Sequence, residues 1–194
     1  VMAKQNGAKI IFVDPRRTAS TERADLLIQP IPGTDGILAL AIAKILIEKN
    51  WVDHEFIQNH VKGFDEFKES LEKISIKEVS KESGVRVDFI EKLAYLFGNI
   101  QPMTLIPGYG MQRYTNGGQT TRCLLELSIL TGNIGKPGAC FHYANLQSYV
   151  FDDVKEPENY FPTEADQPFR RSIPTALLAE KMMEQQNPEL KMAW

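Results

Sequence analysis

Three short apolar runs in this 194-residue chain are each cut off by a proline and a polar or glycine-containing loop. Ala8–Val13 (AKIIFV) ends at Asp14-Pro15-Arg16-Arg17, Leu26–Gln29 ends at Pro30, and Met103–Ile106 ends at Pro107. Runs of this length, apolar on both faces, suit strands covered on both sides, which is the habit of parallel sheets. Proline has no N–H for a ladder, so it stops each strand at a defined place. Helical patterns follow the second and third runs: Ile37–Glu48 after Pro32-Gly33-Thr34-Asp35-Gly36, and about Gln119–Leu130 after Gly108-Tyr109-Gly110. The alternation of strand, loop and helix, without repeat or linker, predicts one α/β domain with a mostly parallel sheet flanked by helices.

Between these blocks, residues 51–98 carry helical periodicity and charge, with helices expected over about Val52–His60, Phe64–Ile74, Ile76–Lys81 and Val87–Phe97. Ile37–Glu48 is apolar all round and so predicts a buried helix. From Ala139 to Ser172 there is little periodicity, and segments this long without pattern are usually functional or mobile. Ile173-Pro174 opens a last expected helix, about Thr175–Gln186. The chain starts on what reads as the last turns of a helix stopped by Gly7, and ends at Lys191–Trp194 on what reads as a new strand. A piece of a longer polypeptide is expected on that ground.

Composition removes whole classes of function. Lys+Arg 22 against Asp+Glu 25 gives a net charge of −3, so there is no basic field for nucleic acid. The longest apolar run, Ile37–Ile47, is interrupted by Lys44 and is far short of the roughly 20 residues a membrane span requires. Two cysteines, Cys123 and Cys140, build neither a disulfide framework nor a cluster site, and His54, His60 and His142 offer no metal-ligand spacing. Neither a metal site nor a catalytic triad is expected from these residues. Cys123, beside Leu124 and Leu125, reads as packing, and Cys140 as exposed or half-buried.

Chemistry is expected at the loops, because open parallel sheets bind ligands beyond the carboxyl ends of their strands. Asp14 closes the first strand, where a carboxylate can accept both hydroxyls of a ribose. Arg16 and Arg17 can neutralise a pyrophosphate; Asp14-Pro15-Arg16-Arg17 also reads as a surface turn with a solvated arginine pair. Gly33 lets backbone approach a ligand, and the helix that follows offers free N–H groups. Asp35 can accept the two adjacent N–H donors of guanine, although Thr34 or Asp35 can equally be a helix cap. Gly108-Tyr109-Gly110-Met111-Gln112-Arg113 starts like a dinucleotide fingerprint but carries Arg113 where the third glycine belongs, and Gly132–Gly138 has Pro137 where a phosphate loop needs Ser or Thr. Gln112 and Arg113 are polar groups suited to a flat heterocycle, or to holding their own loop. Asp152, Asp153, Glu156 and Glu158 read as a solvated acidic face.

Taken in order, AKIIFVDPRRTASTERADLLIQPIPGTDGILAL and GYGMQRYTNGGQTTRCLLELSILTGNIGKPG resemble the molybdopterin-dependent oxidoreductases of the dimethyl sulfoxide reductase type, which include formate dehydrogenases and nitrate reductases. VDPRRT, ADLLIQPIPGTD and LTGNIGKPG are specific in combination, and the resemblance covers essentially the whole chain. It implies a Rossmann-like three-layer domain over 1–194, one dinucleotide-binding-like domain of a larger catalytic subunit. It implies molybdopterin guanine dinucleotide as cofactor, with molybdenum or tungsten, and an iron–sulfur cluster in an amino-terminal region outside this sequence. By resemblance, Asp14, Arg16, Arg17, Gly33, Thr34 and Asp35 hold the guanosine and phosphate end, and Gly108, Gly110, Gln112 and Arg113 approach the pterin. The metal-ligating residue and a barrel-like carboxyl-terminal domain are absent from this stretch, so no turnover is expected of it alone. The implied partners are the remaining domains of the same subunit and electron-transfer subunits, with no nucleic acid and no membrane insertion. Two other readings stand beside this one. The first is an NAD- or flavin-binding Rossmann-type domain; the second is a non-catalytic module docking through 139–172.

Overall fold

A computed structural model describes residues 2–143 and, beyond them, Met183. The chain divides into two compact units, 1–144 and 145–194, and the account below concerns the first. The expected helix at Thr175–Gln186, the strand at 191–194 and the acidic group at 152–158 lie outside the described residues, as does most of 139–172.

The first unit is α/β and mostly helical. A one-turn helix α1 (Met2–Gln5) leads to strand β1 (Ile11–Val13), then β2 (Leu26–Ile28) and helix α2 (Asp35–Glu48). Four helices follow, α3 (His54–His60), α4 (Phe64–Leu71), α5 (Ile76–Ser83) and α6 (Val87–Asn99). Strand β3 (Thr104–Leu105), a 3₁₀ turn over Tyr109–Arg113, helix α7 (Gly117–Leu130) and strand β4 (Cys140–Phe141) complete it. No described helix is long and apolar enough to cross a membrane.

Helix α2 is the axis of the core. Leu38, Ala39, Ala41, Ile42, Ala43, Ile45 and Leu46 are all buried, as an all-round apolar helix demands. Its alanines leave room for α5, α6 and α7 to approach, and Ile90, Leu93 and Leu127 fill the space between. Each fully buried leucine or isoleucine stabilises the fold by roughly 1.5–3 kcal/mol, so stability resides in this helical cluster. Local signals set the helix ends: Asp53 Oδ1 accepts the Phe56 N–H at 2.9 Å to start α3, Ser75 caps α5, and Gly84 in the left-handed region ends α5.

The strands are parallel, as expected, but the expected single three-layer sheet is not what the described residues form. They make two separate parallel pairs, β1 with β2 (Ile11↔Leu26, Val13↔Ile28) and β3 with β4 (Thr104↔Cys140, Leu105↔Phe141). The run Ala8–Val13 was expected to be covered on both faces; Ile11 and Phe12 are only half-buried and Val13 is exposed. An apolar run states a demand for cover without naming what supplies it, and among the described residues β1 has a neighbour on one edge only. β4 falls in the stretch that showed no periodicity, because two residues are too few to show one. Buried Asn133 fastens β3 to the end of α7: its Oδ1 accepts the Met103 N–H at 2.9 Å while its amide donates to Thr131 Oγ1 at 2.8 Å.

Candidate functional site

The first two strands deliver their loops side by side. The Asp14 N–H donates to the Ile28 carbonyl at 3.0 Å, and Gln29 Nε2 donates to the Pro15 carbonyl at 3.0 Å. Asp14 Oδ1 in turn accepts the Arg16 N–H at 2.7 Å, which shapes the Asp14-Pro15-Arg16 turn and leaves Oδ2 available. Arg16 and Arg17 are exposed, and neither guanidinium makes an ion pair among the described residues.

From β2 the chain turns through Ile31-Pro32-Gly33-Thr34, closed by the Thr34 N–H on the Ile31 carbonyl. Gly33 has φ +90°, as the second corner of a type II turn requires, and Pro32 suits the first corner of such a turn. Thr34 occupies the cap position of α2, yet its hydroxyl donates back to the Ile31 carbonyl at 2.6 Å and does not bond the helix end. The capping expected of Thr34 is therefore absent, because the hydroxyl closes the turn instead. Asp35 is the first residue of α2 and is only 8% exposed, with no ion pair among the described residues. Burial pushes its carboxyl pKa above the ordinary value; its own backbone N–H offsets part of this, and the negative charge of Asp14 raises it further.

The third loop joins the same end of the unit. Gly36 and Thr120 meet where α2 and α7 cross: a Cβ built on Gly36 would lie 3.1 Å from Thr120 Oγ1. The two helices therefore start close together. Gly117, at the head of α7, lies under the 3₁₀ turn, where a Cβ would come 2.5 Å from the Met111 carbonyl oxygen and 2.8 Å from Gln112 Cα. Tyr114, the residue after that turn, lays its ring against Gly33. Gly108 and Gly110 are exposed, with nothing within 4 Å of where a side chain would begin. Gln112 and Arg113 are exposed, and no hydrogen bond ties their side chains among the described residues. So the Asp14 loop and the Gly33–Asp35 turn leave the ends of paired strands, close enough for the Asp14 charge to act on Asp35, and the 108–113 loop adjoins the turn through Tyr114; Arg16, Arg17 and Arg113 make no ion pair among the described residues.

The glycine-rich stretch 132–138 has a structural role instead. Lys136 Nζ reaches Asp53 Oδ2 at 2.9 Å, Gly132 takes φ +62° against the Asp53 side chain, and Gly138 sits against Pro102. Sequence reasoning missed Tyr114, Gly117, Thr120 and the Asp53–Lys136 pair. Only Gly117 carried a visible signal, a glycine where a helix starts. Cys123 is packed against the core as expected, and burial, with Glu126 nearby, pushes its thiol pKa up, away from reactivity. Cys140 is half-buried in β4. Among the described residues no group of three His, Cys, Asp or Glu can hold a metal ion.

Comparison with known proteins bears on what this end of the unit serves. The family model described as molybdopterin oxidoreductase matches residues 1–191. The alpha subunit of F420-dependent formate dehydrogenase 1 from Methanococcus maripaludis is 39% identical over 138 residues, 71% of this chain and 20% of that protein. The assimilatory nitrate reductase catalytic subunit of Bacillus subtilis is 35% identical over 135 residues, 70% of this chain and 19% of that protein. Among solved structures, acetylene hydratase from Pelobacter acetylenicus superposes with a TM-score of 0.68 at 29% identity, covering 71% of this chain and 19% of that one. The chain thus spans about a fifth of the length of the relatives it matches.

Proposed function

Because the chain belongs to the molybdopterin oxidoreductase family, we propose that it holds the dinucleotide end of a molybdopterin guanine dinucleotide within a larger catalytic subunit. The observation that carries this reading is Asp35, a buried carboxylate at a helix amino end, within electrostatic reach of Asp14 and with no ion pair among the described residues. Guanine offers two N–H donors side by side, and one carboxylate accepts both. Their approach relieves the desolvation that raises the Asp35 pKa. The second oxygen of Asp14 suits a ribose hydroxyl, and Arg16 and Arg17, which make no ion pair among the described residues, suit the phosphates. Gly108 and Gly110 leave their backbone open to a flat ring, with Gln112 and Arg113 beside it as donors for a pterin.

When bound, the cofactor supplies a molybdenum or tungsten centre for electron or oxygen-atom transfer. The part assigned to residues 1–194, read as one dinucleotide-binding-like domain with a three-layer sheet, is to bind and orient it. An iron–sulfur cluster, electron-transfer partner subunits and a formate dehydrogenase or nitrate reductase type of activity belong to the proposed whole protein. The family alone does not select the reaction, since a protein named as a hydratase shares this segment. The comparisons do not favour the nicotinamide or flavin alternative.

Asp35→Asn in the full-length protein tests the reading, because it puts an amide N–H where guanine needs an acceptor. Guanine nucleotide released on denaturation, and metal per polypeptide, should both fall about tenfold. Wild-type content of both would overturn the assignment.

A further inference from the structure

We propose that Tyr114 is a positioning residue that holds the Gly33–Asp35 turn and the Gly108–Arg113 loop as one rigid grip on the ligand; this rests on the cofactor reading above. A Cβ at Gly33 would lie 3.5 Å from Cδ1 and Cε1 of the Tyr114 ring, so the ring flanks the side of Gly33 from which a side chain would project, at a residue whose φ is +90°. A turn of that kind is one of the softer places in a chain, and here an aromatic face closes one side of it. The backbone of Tyr114 is itself fixed, since its carbonyl accepts the Gly117 N–H at 2.9 Å at the head of α7. Gly117 in turn packs beneath Met111 and Gln112.

The contact of Gly36 with Thr120 provides a second fastening, in the first turn of both helices. Two contacts between the same two segments remove a hinge that one would leave. Tyr114 stays 40% exposed, and its ring carbons, not its hydroxyl, make the contact on Gly33. The bracing role therefore belongs to the flat apolar ring. Phenylalanine should reproduce it and alanine should not. Leaving the turn to be ordered on binding weakens affinity by up to roughly tenfold.

The test uses the full-length protein in four forms: wild type, Tyr114→Phe, Tyr114→Ala and Asp35→Asn. Guanine nucleotide and metal per polypeptide are measured, with the nucleotide loss rate on dilution. Tyr114→Phe should match wild type, while Tyr114→Ala should lose nucleotide roughly tenfold faster. If Asp35→Asn is depleted but Tyr114→Ala behaves as wild type, the positioning role is wrong and the cofactor reading stands. If Asp35→Asn keeps full content, the cofactor reading fails and takes this role with it. Equal losses in Tyr114→Phe and Tyr114→Ala would mean that the hydroxyl itself touches ligand, which also overturns the proposal. Should Tyr114→Ala fail to fold, Tyr114→Leu, which keeps apolar bulk without a flat face, is read by the same criteria.

Discussion

Two aspartates show how one residue type takes opposite roles at residue scale. Asp53 is held below the ordinary carboxylate pKa, first by the Phe56 N–H it accepts and then by Lys136. Its contribution to stability is present above the unfolded-state value of 3.8 and is lost as pH falls through the lower folded value. Asp35 is shifted the other way by burial, so the folded chain holds that proton more tightly than the unfolded one. It favours folding below pH 3.8, and this is lost as pH rises through the folded pKa, leaving a cost at pH 7. Asp35→Asn should therefore melt higher than wild type at pH 7, and the gain should shrink at pH 3.5. An equal difference in Tm at both pH values would refute this. Function and stability then pull apart at one position, since the same change is expected to empty the site. At Gly132, an alanine would have to adopt a positive φ and displace the Asp53 side chain. Gly132→Ala should cost about 2–3 kcal/mol, read as a lower urea midpoint with unchanged slope.

At the scale of elements, the crossing of α2 with α7 brings the loops of two distant strands together. Gly117→Ala meets backbone, the Met111 carbonyl and Gln112 Cα, which cannot rotate away. The overpacking cost of about 1–3 kcal/mol outweighs the roughly 1 kcal/mol that alanine gains in helix propensity. The variant should lose stability in denaturant and lose nucleotide. Gly36→Ala meets the hydroxyl of Thr120 at 3.1 Å, and propensity largely offsets that, so it should be near neutral in the same assay. The helices were legible in sequence because their signal is local and repeated. Phe64–Leu71, Ile76–Ser83 and Val87–Asn99 each start where the apolar spacing put them and end within three residues of it. The strands were legible as apolar runs, but their pairing was not, since nothing in AKIIFV distinguishes one neighbour from two.

Across the first unit, the stabilising core and the proposed binding loops sit in different places. Buried apolar area gathers on α2, α6 and α7, while strands of two or three residues carry the loops. Amide hydrogen exchange should therefore be slowest in the middle of α2 and α6, and markedly faster in both strand pairs; the reverse order would mean that the sheets, not the helices, hold the unit together. The sequence by itself determined the order of elements from β1 to α7, the burial of α2 and the chemistry available at each strand end, because residue spacing and proline or glycine punctuation act over a few positions. Only the tertiary structure decided that Asp35 is desolvated within reach of the Asp14 charge, that the Tyr114 ring flanks Gly33, and that Lys136 answers Asp53 from 83 residues away. Burial and electrostatic pairing depend on distance in space, and packing helices against one another sets that distance.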